Sequence, residues 1–168
     1  DIVLGYTKVF NNSKLSLSLA GNINDLTIEE IHNGDLNPFT FFGPFSQAYL
    51  EAAAPDYKFS LGIGYSLSKF DFGVNLTQFS DVIIQDFKWV DTPATRQAEA
   101  DALYALTADI NIGYSFNERL KITVGANNLF NVYPTPQFDG WTDQGGFNDS
   151  VQMGSDGAYY FGRIGFKF

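Results

Sequence analysis

Hydrophobic and polar residues alternate one by one along most of this chain. In residues 59–68 every second residue is Phe, Leu, Ile or Tyr, and the residues between them are Ser or Gly. Residues 70–77, 104–114 and 120–127 follow the same period of two. This period is typical of β-strands that have one apolar face and one polar face.

The lengths of the connections follow a pattern of their own. The alternation predicts seven strands, at about residues 1–10, 14–31, 48–67, 70–88, 102–116, 119–132 and 157–168. Short connections at 11–13, 68–69 and 117–118 alternate with long ones at 32–47, 89–101 and 133–156. Outer-membrane barrels have short periplasmic turns and long extracellular loops. The sequence therefore predicts an all-β protein, a transmembrane antiparallel β-barrel with its three long connections outside the cell.

Composition separates this prediction from a soluble β-sandwich, whose strands also alternate. Aromatic residues make up 17% of the chain, yet the mean hydropathy is only −0.10. The polar positions hold Gly, Ser, Thr and Asn more often than the Lys and Glu that cover soluble sheets, which favours a wet barrel lumen. No run of about 18 apolar residues is present to form a membrane-spanning helix. The net charge of −9 argues against nucleic acid as a partner.

Seven strands do not suffice for a closed barrel. Bacterial barrels have an even number of strands, and open sheet edges in lipid are very costly. We therefore expect the missing strands to come from more of the same protein or from a separate chain. Residues 1–6 already have strand character and no signal peptide precedes them, so we expect a processed or truncated product whose boundary lies in an extracellular loop.

Three segments carry a resemblance to a known family. Residues 125–134 read Gly-Ala-Asn-Asn-Leu-Phe-Asn-Val-Tyr-Pro, and residues 157–168 end in Gly-Arg-Ile-Gly-Phe-Lys-Phe. Residues 54–59 read Ala-Pro-Asp-Tyr-Lys-Phe and enter a long strand. Together they resemble the C-terminal part of the barrel of TonB-dependent outer-membrane receptors, in a form most like those of Bacteroidota.

The resemblance implies a fold, a location and partners. It implies the last seven strands of a plugged barrel of about 22 strands, located in the bacterial outer membrane, with the plug domain and TonB box absent from residues 1–168. Its partners would be the remaining strands and plug, the TonB complex acting through that plug, outer-membrane lipid, and the barrel assembly machinery. The expected assembly signal comprises Tyr160, Ile164, Phe166 and Phe168.

The function that the resemblance implies is active import of a scarce nutrient. Siderophore, cobalamin, glycan and peptide importers share these strands. A passive porin or a small structural barrel is the alternative, and an upstream plug distinguishes the two because passive porins lack one. Aromatic residues in the long connections are the candidates for ligand binding, although packing against one another, a plug or a neighbouring protein explains them equally well: Phe39, Phe41, Phe42, Phe45, Trp141 and Phe147.

Catalysis and metal binding find little support in the sequence. His32 is the only histidine, and no Ser accompanies it and the nearby Glu29 and Asp35 in a recognisable motif. We therefore expect no enzymatic activity, cofactor or metal site, and the absence of Cys excludes thiol ligands. Four acidic residues in one connection do not have the spacing of a calcium loop: Asp139, Asp143, Asp149 and Asp156.

Overall fold

The chain folds mainly as β-structure. A computed structural model describes residues 1–32, 34–37, 42–43, 46–47, 50, 55–80, 82–85, 98–101, 105–134, 136 and 153–168. These residues form nine strands: β1 Ile2–Val9, β2 Ser13–Ile23, β3 Tyr57–Leu67, β4 Phe70–Phe79, β5 Val82–Gln85, β6 Ala98–Asp101, β7 Ala105–Ser115, β8 Leu120–Asn127 and β9 Tyr159–Phe166. Within this described part, no helix is long and apolar enough to cross a membrane.

Seven of the strands form one antiparallel sheet in the order β1-β2-β3-β4-β7-β8-β9. Each strand pairs with the next along the chain, apart from β5 and β6, which form a small hairpin of their own between β4 and β7. The prediction of an all-β fold with seven antiparallel strands in one sheet is confirmed, whereas the additional β5–β6 pair was not predicted. In the described residues β1 pairs with β2 alone and β9 with β8 alone, so this sheet is open.

Several strands are shorter than predicted. β2 ends at Ile23 instead of residue 31, because the facing strand β3 begins only at Tyr57. Just before β3 stands Pro55, which has no backbone N–H to donate to a ladder. A last bond joins Asn24 N to Asp56 O at 2.7 Å, and among the described residues β2 has no partner strand beyond it.

The predicted strand that follows the β3–β4 turn forms two strands instead of one. Within the predicted strand 70–88, β4 ends at Phe79 and a separate strand, β5, begins at Val82. Residues 98–101 fall in a predicted connection but form β6, which pairs with β5. The interruption coincides with Ser80, whose side chain accepts a hydrogen bond from Tyr57 N at 3.2 Å and whose N–H binds Tyr57 O at 3.0 Å. Ser80 is thus bound to β3 after the β4 ladder has ended.

The short turns are held by local hydrogen bonds. Asn117 accepts bonds from the backbone N–H groups of Arg119 and Leu120 on one side-chain oxygen, both at 2.9 Å. Ser68 adopts a φ of 54° in the turn between β3 and β4, and Phe10 N donates to Ser13 O at 2.8 Å. All three turns lie at one end of the sheet, which we call the short-turn end.

Cross-strand pairing places the apolar residues on one side of the sheet, here called the apolar face. One row across it runs Leu4–Leu19–Leu61–Leu76–Ala108 and the next runs Tyr6–Leu17–Ile63–Val74–Ile110–Ala126. Towards the short-turn end follow Tyr65–Phe72–Ile112–Val124 and then Phe70–Tyr114–Ile122–Ile164. The alternation predicted this segregation, and the register confirms it.

The sheet has little hydrophobic core. Among the described residues the buried hydrophobic ones are Phe79, Val82, Ala108, Ala126 and Met153, and Phe79 packs with Met153 and Val132. Large apolar side chains of the sheet are exposed instead, such as Leu4, Val124 and Ile164, at 60%, 54% and 74%.

Candidate functional site

The second side of the sheet, here called the polar face, is lined by small and hydrogen-bonding residues. One row reads Gly5–Ser18–Gly62–Asn75–Asp109, and the next reads Thr7–Ser16–Gly64–Gly73–Asn111–Gly125. Because small residues dominate, the middle of this face is a shallow depression whose walls include Ser16, Asn75, Asp109 and Asn111. The arrangement offers hydroxyl, amide and carboxylate groups to whatever lies above the sheet.

Glycines shape this depression. A side chain at Gly62 would meet the hydroxyl of Ser18, and one at Gly73 would meet the amide of Asn111. The neighbouring polar side chains therefore occupy the space above these glycines. Larger residues at either position would fill the face and displace its hydrogen-bonding groups.

An ion pair crosses three strands on the polar face. Lys121 of β8 reaches Asp71 of β4 at 2.5 Å by passing over Gly113 of β7, where a side chain would contact the Lys121 stem. Ser66 donates a second hydrogen bond to Asp71 at 2.7 Å. Both charged side chains are well exposed, at 46% and 38%, so solvent screens the pair and its contribution to stability is small. Its effect is to fix the positions of two opposite charges on this face.

A second depression lies at the other end of the polar face, where the long connections begin. Asp109 contributes to both depressions, and Asp156, Met153 and Tyr159 line the second one. The carboxylate of Asp109 accepts a hydrogen bond from Asn128 N at 2.8 Å, which fixes its position. A polar track thus extends along the sheet from its middle to the long connections.

A compact turn follows β8 and forms one wall of this second depression. Asn128 has a φ of 47°, and its amide both donates to Val132 O at 2.6 Å and accepts from Val132 N at 2.9 Å. Asn131 has a φ of 54° and accepts a hydrogen bond from Ala158 N at 2.9 Å. The turn ends β8 at Asn127, five residues earlier than predicted, and links its end to the start of β9.

One of the six predicted ligand residues, Phe42, lies in the described part of the chain. Phe42 is partly buried, and its backbone oxygen accepts a hydrogen bond from the Gln47 amide at 2.9 Å. The other five predictions lie outside the described residues: Phe39, Phe41, Phe45, Trp141 and Phe147. Ligand contact by these side chains stays a prediction.

Three of the four predicted assembly residues lie on β9. Tyr160, Ile164 and Phe166 are all exposed on the apolar face, at 69%, 74% and 59%. The strand ends at Phe166 instead of Phe168, so the prediction of Phe168 as its last residue is wrong. The last strand bond joins Lys167 N to Arg119 O, after which β8 offers no further partner. Phe168 instead packs edge-on against Phe166, with 5.2 Å between ring centroids.

The lone histidine forms a surface pair. His32 Nε2 lies 3.2 Å from Glu30 Oε1, and both side chains are more than 70% exposed, at 81% and 73%. Across the described ranges, no group of three or more His, Cys, Asp or Glu residues is placed to hold a metal ion. Asp156 is exposed, while Asp139, Asp143 and Asp149 lie outside those ranges.

Asp71, Asp109 and Lys121 occupy polar positions of the period-two segments 70–77, 104–114 and 120–127, and the sequence predicts no further role for them. Only the register shows that Lys121 reaches Asp71 and that Asp109 receives the Asn128 N–H.

Comparison of the chain with protein-family models, with curated proteins and with solved structures found no match to any of them.

Proposed function

We propose that this chain supplies seven adjacent strands to the β-barrel of a TonB-dependent outer-membrane receptor. In this proposal the apolar face contacts lipid and the polar face lines the lumen. The long connections contribute to the outer ligand surface. The complete receptor, with about 22 strands and a plug, captures a siderophore, cobalamin, glycan or peptide outside the cell and imports it when the TonB complex displaces the plug.

The exposed apolar face carries the proposal. Leu61, Phe72, Ile112, Val124 and Ile164 lie on it and are 37% to 74% exposed. In a soluble sandwich a second layer would cover such a face, and no described element packs on it. Apolar patches much larger than a few hundred Å² are rare on soluble monomers and mark surfaces that meet lipid or protein. Lipid suits this face because its apolar rows span seven strands and the opposite face is polar.

The open edges support the need for further strands. β1 and β9 each present an edge whose backbone groups have no partner among the described residues. In lipid each unpaired group costs several kcal/mol, so partner strands are required on both sides. A small barrel closed by β1 pairing with β9 would have needed no other strands, and the described sheet does not contain that pairing.

The alternation of short and long connections supports the orientation of the sheet in the membrane. Three tight turns lie at one end of the sheet, and the long connections after β2, β4 and β8 leave from the other. Barrels of the outer membrane place short turns in the periplasm. The polar track through Asp109 then leads from the lumen to the extracellular side, where ligand would be captured.

Single-cysteine labelling tests which face meets lipid. The chain has no native cysteine, and Ser16 and Leu17 are neighbours on opposite faces of β2. With the complete receptor in vesicles, we expect a fluorophore on Leu17→Cys to be quenched by lipid-attached nitroxide. The same fluorophore on Ser16→Cys should respond to aqueous iodide. Equal quenching at both positions, or the reverse pattern, would remove the support for a transmembrane sheet.

Deletion of Phe168 tests the assembly signal. We expect severalfold less heat-modifiable, folded receptor in the outer membrane when Phe168 is missing, because the barrel assembly machinery would lose a terminal aromatic contact. Phe10→Ala is the matched control, since Phe10 is another exposed aromatic at the short-turn end, 44% accessible. Normal amounts of the folded deletion variant would contradict the role of Phe168.

Dependence of uptake on TonB separates the receptor from a passive porin. Uptake through the complete protein should stop when the TonB complex is removed, because displacement of the plug needs that energy. Uptake that continues unchanged would favour the passive porin instead.

A further inference from the structure

Basic residues of the described part of the chain gather at the short-turn end of the sheet. The chain has ten basic and nineteen acidic residues, and among the described ones the short-turn end has seven basic and two acidic, Asp71 and Glu118. The basic residues there are Lys8, Lys14, Lys69, Arg119, Lys121, Arg163 and Lys167. The short-turn end is therefore positive, although the whole chain has a net charge of −9.

Several of these cations surround one depression at the short-turn end. It has a volume of about 780 Å³ and lies between the β3–β4 turn, the β7–β8 turn and the end of β9. Lys69, Arg119 and Lys167 contribute charge to it, and all three are exposed. Lys121 also lines it but is bound to Asp71. We call this depression the basic rim pocket.

The pocket also has an apolar part, and its remaining lining is polar: Ser68, Ser115, Asn117 and the carboxylate of Glu118. Phe116 and Phe166 line it and are 47% and 59% exposed, and Leu120 lies between them. Phe116 packs edge-on against Tyr114 of the apolar face, with 4.8 Å between ring centroids. The pocket therefore joins a cationic region to the apolar face of the sheet.

We propose that the basic rim pocket binds an anionic phospholipid of the periplasmic leaflet, which rests on the membrane orientation proposed above. The phosphate would lie among Lys69, Arg119 and Lys167, and acyl chain carbons would contact Phe116, Leu120 and Phe166. The Arg guanidinium can hold two phosphate oxygens at once, and Lys adds positive charge. Basic pockets at a membrane surface bind anionic lipid headgroups in this way.

The combination of cationic and apolar groups favours lipid over free phosphate. Free phosphate would use the cations and leave Phe116 and Phe166 exposed to water. Across the described part of the chain, no carboxylate forms an ion pair with Lys69, Arg119 or Lys167. The Lys69 ammonium has one long hydrogen bond, to Phe116 O at 3.4 Å. These cations are available to an anion that also has apolar parts.

Lipid retention by the complete receptor tests this inference. The receptor is purified from outer membranes, and the phosphatidylglycerol that stays bound is measured by native mass spectrometry. The test variant is Lys69→Gln with Arg119→Gln and Lys167→Gln. The control, Lys8→Gln with Lys14→Gln and Arg163→Gln, removes the same charge at the same end of the sheet but outside the pocket.

We expect the test variant to lose retained phosphatidylglycerol at least about tenfold, because each of the three cations that would lie beside the lipid phosphate contributes about fivefold. The control should stay within about twofold of the parent protein. Equal loss in both variants would indicate non-specific attraction and would overturn the pocket. So would displacement of the lipid by inorganic phosphate, or retention that changes in neither variant.

Membrane insertion is measured on the same samples and separates the two proposals. Receptor that is folded in the outer membrane but shows no pocket-dependent lipid retention contradicts the lipid site alone. Receptor that is absent from the membrane fraction contradicts the proposed function, and the lipid site with it.

Discussion

Replacing Ile112 by arginine is expected to remove most of the folded receptor from the outer membrane. Ile112 lies on the apolar face, between Phe72 and Val124 in the neighbouring strands, and is 44% exposed. A lipid-facing arginine in a barrel costs about 2–4 kcal/mol near the bilayer midplane. Folding free energies are about 5–15 kcal/mol, so this is a large fraction of the total.

The neighbouring residue provides the control. Asn111 precedes Ile112 in β7 and is exposed on the polar face, where it pairs with Gly73 and Gly125. Asn111→Arg should change the amount of folded receptor little, because the lumen is wet. Urea unfolding in lipid vesicles and heat-modifiability measure both variants. If Ile112 faced water on a soluble protein, both substitutions would have effects of about 0.5 kcal/mol, and that result would contradict the proposed function.

The number and order of the seven main strands, and the face on which each side chain lies, were predictable because they depend on the local sequence pattern. Leu61 and Ile63 alternate with Gly62 and Gly64, and a strand can place such residues only on opposite faces. The pairing confirms this, since Leu61 faces Leu19 and Leu76 while Gly62 faces Ser18 and Asn75. Short turns between successive strands then predicted antiparallel neighbours.

The strand ends were not predictable because contacts distant in sequence determine them. β2 ends where its partner begins after Pro55, and that boundary lies more than thirty residues away along the chain. In the same way, the pattern of residues 80–88 has strand character, yet pairing with β7 stops at Phe79. Alternation reports which face a residue prefers and does not report where a partner strand stops.

The candidate site was predictable only as a set of polar positions. Asp71 and Lys121 are fifty residues apart, and their contact depends on the register of three strands and on the missing side chain at Gly113. The basic rim pocket likewise gathers residues from two turns and the end of β9. A period-two pattern cannot predict these contacts between strands, because it describes each strand separately.

Replacing Asn128 by alanine is expected to destabilise the receptor by about 2–5 kcal/mol. Asn128 makes two side-chain hydrogen bonds to the Val132 backbone and has a φ of 47°. Each lost bond costs about 0.5–1.5 kcal/mol, and alanine in a left-handed conformation adds about 1–2 kcal/mol. The first residues of the connection after β8 should then become accessible to protease, because the link between Asn128 and Val132 is lost.

Two further substitutions at Asn128 separate these causes. Asn128→Gly also loses both hydrogen bonds but tolerates the positive φ, so it should destabilise the receptor by about 1–3 kcal/mol, less than alanine. Asn128→Asp keeps the acceptor for Val132 N and loses the donor, and should lie nearer to the parent protein. Asn127→Ala, at the exposed neighbouring position, is the control and should change the unfolding free energy little. Urea unfolding of the complete receptor gives the order, and proteolysis of the connection provides an independent readout. If alanine and glycine were equal to the control, the Asn128 turn would have no part in holding the end of β8 to β9, and the wall of the Asp109 depression would need another support.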